Sequence, residues 1–414
     1  MNAQEARERP GTRLGPIVLA VFVFSGSLKS NPLLAWVPGD LTIILGLLLV
    51  ILVVAEVIRT AYVSKAIWVP ISIAAVAALG LAHVRPGYGT DKALSFFTIT
   101  LLGMVAAVAL LRHERQRRVF LGAIAGIGLV VAALLIVAPQ QTAEWSEVVT
   151  LAGTNTISTS QMITAGAVVL CMYALTGNRP AVRRVISGLG ALGLFYVALD
   201  TGSRGPVVAI GIGIVVALLF APAFRRRRLR AIIAILLVGG IGIYVAMQQG
   251  GEGLTRVLGF LSGGQDSSTT ARAVMWSTAW RHITELPGGG GWGYFGTIPE
   301  LSFNAVNGGQ AYPHSVPLEI ALEAGWIAGL FFAGLAAASV IRMALRAQDL
   351  RVVTFLVLLV FTLTNAMLSG DINDNRLMWV LLTAAWLIPK PARNEEATPA
   401  PAIQQGGGRV ATRA

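Results

Sequence analysis

The sequence predicts an all-α, polytopic membrane protein with about twelve transmembrane helices, and three observations carry that expectation. AVILMFWYC supply 55% of the 414 residues and 46 glycines join them, while charged residues supply only 13%, about half the ~25% usual in soluble domains. Mean hydropathy is +0.70. The apolar residues fall in runs near the ~20 residues that a helix rising ~1.5 Å per residue needs to cross a ~30 Å hydrocarbon core. Lysine and arginine alternate from loop to loop, 24 of the 32 on one side and eight on the other, the bias that holds basic loops in the cytoplasm. Whole-chain disorder, a disulfide scaffold and a cytosolic enzyme are thereby excluded. The net charge of +12 resides mainly in orienting loops such as RRRRLR at 225–230, beside an anionic leaflet, so no nucleic acid is expected.

The expected spans, in order, are 14–36, 41–58, 66–84, 93–111, 118–138, 157–176, 185–201, 205–224, 230–247, 317–341, 351–370 and 375–389. The first is short and is interrupted by SGSLKSNP; it reads as an uncleaved anchor rather than a signal peptide, since no small-residue cleavage site follows. The charge bias puts both termini in the cytoplasm: a short arm over 1–13 and a Pro-, Ala- and Gly-rich tail over 390–414 of disordered composition. Spans 14–247 and 317–389 flank one long outer connection, 248–316, too long for a simple turn. The lone Cys171, inside AVVLCMYAL, rules out an internal disulfide and reads as a small buried hydrophobe.

The chemistry-bearing residues gather on the outer side. Arg204 sits in TGSRGP, where one span turns into the next and Asp200 is near; glycine and proline there serve the turn, but the arginine needs another reason. Arg272, Trp276 and Trp280 are four apart and share a stripe of one helix, readable as an interfacial anchor or as a surface presenting Arg272 inward. His314 is followed by Glu319 and Glu323, which share a helix face at the mouth of a span; ionisable groups at membrane depth are functional candidates by default. The other histidines, His83, His113 and His282, have no such setting. The run GGGGWGYFG at 288–296 reads as a hinge or, less specifically, as a phosphate cradle. Asp371, Asn373, Asp374 and Asn375 offer oxygen ligands, yet suit a capped polar turn better.

Three features in this order resemble the O-antigen ligase and polymerase family of bacterial membrane glycosyltransferases. They are Ser203-Arg204-Gly205 at the outer start of a span, Arg272 with Trp276 early in the long loop, and His314 followed by Glu323-Ala324-Gly325. The stretch Pro287–Gly293 also looks like the family's loop, while Ser315 stands where many relatives carry Asn. The resemblance implies a GT-C-like fold in the bacterial cytoplasmic membrane and a role in cell-envelope polysaccharide biosynthesis. It implies transfer of a glycan from an undecaprenyl-diphosphate-linked donor to an acceptor hydroxyl at the outer face, with neither metal nor other cofactor. A ligase would use a lipopolysaccharide core as acceptor, a polymerase another lipid-linked repeat.

The residue chemistry agrees with such a reaction. A departing diphosphate needs fixed cations, which guanidinium groups supply in bidentate form, and a hydroxyl nucleophile needs a base such as imidazole. Arg204 and Arg272 are expected to hold the diphosphate and His314 to take the hydroxyl proton. Glu323 is expected to orient His314 or line the cavity, and Ser203, Trp276 and Glu319 to contact substrate. Two readings of other classes compete: a secondary transporter, which would favour midplane charges and repeat symmetry, and a noncatalytic scaffold of an envelope complex.

Overall fold

The computed structural model describes residues 12–137, 150–175, 180–225, 267–304 and 312–389, with six isolated positions between 226 and 266. The expected ninth span, most of the N-terminal arm, the first part of the long loop and the tail lie outside the described residues, where every element is helical and no strand occurs. In chain order the helices are α1 (Leu14–Leu28), α2 (Leu41–Thr60), α3 (Lys65–His83), α4 (Tyr88–Leu110), α5 (Glu114–Val137), α6 (Thr156–Leu175) and α7 (Ala181–Asp200). There follow α8 (Arg204–Phe220), α9 (Ser267–Glu285), α10 (Val316–Ala324), α11 (Trp326–Arg346), α12 (Leu350–Leu368) and α13 (Arg376–Ala384).

Eight of these are long and apolar enough to cross a membrane, and α1 and α8 are shorter apolar helices. The packing suits lipid rather than water. On α2, Ile43, Leu47, Ile51 and Ile58 are all more than half exposed, an apolar face no aqueous surface would carry at that density. The α12 helix is the spine, with most of its length buried against α6, α8, α10, α11 and α13. Small residues set the closest approaches: a Cβ added to Gly128 on α5 would lie 2.9 Å from Gly166 Cα on α6, so the two backbones touch. The ends follow ordinary capping chemistry, with Asp349 Oδ1 accepting the N–H groups of Arg351 and Val352 at the start of α12.

One expected span is corrected. Residues 317–341 form no continuous helix: the chain breaks at Gly325, leaving nine residues in α10 and 21 in α11. Nine residues rise only ~14 Å, so α11 has the crossing length and α10 lies at its mouth. Gly325 has φ +87° and ψ 175°, a conformation open essentially to glycine alone. A Cβ there would also lie 2.8 Å from the Gly288 carbonyl group. Gly325→Ala is therefore expected to destabilise the protein by about 2–3 kcal/mol, read as a lowered thermal unfolding midpoint in detergent; an unchanged midpoint would show that the break is not required.

Candidate active site

The long connection supplies α9, whose sequence places Met275, Ala279 and Ile283 on one stripe. These pack with Phe295, Ile298, Leu301 and Leu322 in a small apolar core of their own, which holds α9 against α10. On the neighbouring stripe Trp276 is half-buried against the chain, while Trp280 is exposed. Trp276 Nε1 donates to the Pro313 carbonyl at 2.9 Å, and Trp280 lies 6.3 Å from Trp326 between ring centroids. One turn before Trp276, Arg272 is half-buried beside the His314 segment.

His314 is held in an unusual state. Its φ of +53° is one of two positive values at non-glycine residues among the described residues, a left-handed conformation that costs about 1 kcal/mol or more. The ring lies 4.4 Å from the Tyr312 ring, and its Nδ1 is buried without a hydrogen-bond partner. Burial, reinforced by the Arg272 charge, lowers its pKa to about 4, with Asp371 pulling the other way. The imidazole is thus neutral near pH 7, with a free lone pair on one nitrogen. Burial also keeps the Tyr312 phenol protonated.

Below His314 lies a buried ionic cluster that the sequence reading missed. Lys92 on α4 pairs with both Glu319 and Glu323, at 2.6 Å to Glu323 Oε1. Their exposures are 3%, 0% and 3% respectively. Glu323 Oε1 also accepts the Gly293 N–H at 3.1 Å. Glu323 Oε1 is thus engaged by Lys92 and Gly293, and no contact between Glu323 and His314 is present among the described residues. The Lys92–Glu323 pair joins α4 to α10. Glu319 Oε2 and the Tyr88 hydroxyl remain buried without hydrogen-bond partners.

The glycine-rich run packs against the end of α10. Gly290 and Gly291 donate to the carbonyls of Leu322 and Glu323 at 2.8 and 3.0 Å, and Trp326 N–H donates to the Pro287 carbonyl at 3.0 Å. The run thereby satisfies carbonyls that the end of α10 leaves open. At Gly291, with φ +88°, a Cβ would overlap the His83 carbonyl oxygen, so only glycine lets the loop lie against α3.

The turn between α12 and α13 closes the same end. Asp371 Oδ1 accepts the N–H groups of Asn373 and Asp374 at 2.8 and 2.7 Å, a capped polar turn. Asn373 Nδ2 donates to the Lys92 carbonyl at 3.0 Å, and Thr100 Oγ1 donates to Asn373 Oδ1 at 2.8 Å. These bonds bracket the π-helical stretch Phe96–Thr100 of α4, the kind of local widening that recurs at functional sites. Ser203 precedes α8 as a buried residue, and Arg204 opens that helix, half-buried. The next residue, Gly205, lies against Asn365 on α12, whose Oδ1 is buried without a hydrogen-bond partner. Arg272, Trp276 and His314 are thus brought together by α9, whereas Ser203 and Arg204 approach the same end along α12.

Residues 189–333 match the family model described as O-antigen ligase. The match covers about a third of the chain. No curated protein and no solved structure matches the chain. The matched segment holds Ser203, Arg204, Arg272, Trp276, His314, Glu319 and Glu323, while Lys92 and Asp371 reach the same end of the fold from outside it. The only sequence signal for Lys92 was a lysine one residue before an expected span; its partners on α10 lie more than 220 positions away along the chain.

Proposed function

We propose that this membrane protein is a glycosyltransferase that moves a glycan from an undecaprenyl-diphosphate-linked donor to an acceptor hydroxyl at the outer face of the bacterial cytoplasmic membrane. The observation that supports this reading is that Arg272 lies near enough for its charge to act on His314, whose Nδ1 is buried without a hydrogen-bond partner, while the Trp276–Pro313 hydrogen bond ties α9 to the His314 segment. His314 takes the proton of the acceptor hydroxyl as its oxygen bonds to the anomeric carbon. The bond from that carbon to the diphosphate breaks, and the diphosphate leaves on its lipid with the bonding electron pair. Arg272 and Arg204 meet the charge that develops, one such preorganised contact supplying on the order of 3 kcal/mol. α9 and the His314 segment of the long connection lie over the donor, and the acceptor is a lipid or a glycan.

Fixed arginines take the place of a divalent ion in this reading. Transfer from a lipid-diphosphate glycan by the purified protein is therefore expected to survive EDTA; loss of activity restored by Mg²⁺ would reject the arginine mechanism.

The lowered histidine gives a pH signature. A base with a pKa near 4 stays competent well below the free value of about 6.5, so the acid limb of kcat/KM is expected near pH 4–5. Because the folded value lies below the free one, protonation favours the unfolded chain. This contribution to stability is complete above about pH 6.5 and declines as the pH falls towards 4. Arg272→Gln removes a depressing charge and is expected to move the limb upward; a limb near 6.5 in the unaltered protein would contradict the buried-imidazole account.

A further inference from the structure

At the opposite end of α5, α11 and α12 from His314, four arginines converge on one pocket. Arg117 and Arg118 come from the first turns of α5, Arg346 from the end of α11 and Arg351 from the start of α12, around a cavity of about 230 Å³. Two carboxylates, Glu114 and Asp349, share the lining, which leaves a surplus of two positive charges. Orientation in the membrane requires basic loops, but it does not require guanidinium groups from three elements to meet at one cavity.

The donors are incompletely used. Arg117 Nη1 donates to the carbonyls of Leu111 and Arg112, Arg118 Nη2 and Arg351 Nη1 pair with Glu114, and Arg346 Nη1 donates to the Ile388 carbonyl. Each guanidinium therefore spends one nitrogen on the protein and keeps further N–H groups of its fork. The floor is apolar: Leu121 and Phe355, 1% and 2% exposed, and Val352 lie beneath the arginines. They belong to the first apolar turns of α5 and α12, the level at which a lipid passes from headgroup to chain.

We infer that this pocket binds the phosphodiester headgroup of an anionic phospholipid in the leaflet opposite the candidate active site. The arginine forks match phosphate oxygens in geometry and charge. The apolar floor takes the glycerol backbone and the start of an acyl chain, and basic pockets between transmembrane helices bind anionic headgroups on this principle. A soluble phosphate would use the arginines but gain nothing from Leu121 and Phe355.

The test uses the full-length protein, with native mass spectrometry and thermal unfolding in neutral phosphatidylcholine nanodiscs titrated with phosphatidylglycerol. Phosphatidylglycerol is expected to be retained in preference and to raise the unfolding midpoint. Arg118→Gln and Arg351→Gln are each expected to weaken its binding about fivefold, at ~1 kcal/mol per basic group. Glu114→Gln, which frees two guanidinium groups, is expected to tighten it; a gain of binding cannot come from misfolding. Equal retention of phosphatidylcholine and phosphatidylglycerol, or binding unmoved by all three variants, overturns the proposal. Displacement of the lipid by inorganic phosphate or glycerol phosphate at comparable concentration also overturns it, in favour of a soluble-anion site.

Discussion

Lys92→Met is expected to cost about 3–5 kcal/mol of stability, the penalty of leaving buried charges without their partner, and the loss should be partly reversed when Glu319 and Glu323 are changed to glutamine as well. Lys92, Glu319 and Glu323 are sealed from solvent, and a single ammonium group serves both carboxylates. Methionine keeps the length of the side chain and removes the charge. Two carboxylates then stand in an apolar surround with only the Gly293 N–H in compensation, and they must either take up protons or draw water into the packing. Because the cluster joins α4 to α10, and the glycine run is bonded to the end of α10, loosening it frees the segment that carries His314. The measurement is the thermal unfolding midpoint of purified protein, with monodispersity on size exclusion as a second readout. The triple neutral variant should unfold above the single Lys92→Met variant. If it unfolds below, the carboxylates are stabilised by something other than lysine.

That cluster marks where sequence reasoning reaches its limit. Hydropathy made α2, α5 and α12 legible, because lipid imposes a length and a composition on each crossing helix independently of its neighbours. Helix spacing also placed Glu319 and Glu323 on one face. The partner on that face was not legible: Lys92 lies over 220 residues away, and α4 begins before the apolar window that revealed it. The break at Gly325 escaped for a related reason, since apolar residues continue on both sides and a hydropathy average does not register φ. The bonding of the glycine run to the end of α10 was not legible either, because those contacts exist only once the fold has formed. The tryptophan stripe on α9 was correctly placed on one face, but Trp276 bonds to Pro313 where the spacing alone equally allowed lipid. Arg272 and His314 were singled out by residue type and by order along the chain. What the fold adds is the electrostatic setting that keeps the imidazole neutral.

That setting leads to the second large effect. Arg272→Lys is expected to lower kcat about 10²–10³-fold, and His314→Asn about 10²–10⁴-fold, with the unfolding midpoint of each near that of the unaltered protein. Lysine keeps the charge of Arg272 but loses the planar fork, so it can meet one phosphate oxygen and not two at once. Asparagine is the informative replacement for His314 because it tolerates the φ of +53° that most side chains resist; alanine there would mix loss of the base with backbone strain. The two substitutions should also differ in kind. A lysine at 272 still depresses the imidazole through its charge, so the acid limb of the pH profile should stay near pH 4–5 while the rate falls. Asparagine at 314 should abolish that limb. In a double variant the losses should fall short of their product, because base and cation act on the same transition state. Transfer from a lipid-diphosphate glycan under single-turnover conditions separates these effects from product release. Near-normal turnover in His314→Asn would move the base elsewhere, and full activity in Arg272→Lys would remove the need for a bidentate grip on the diphosphate.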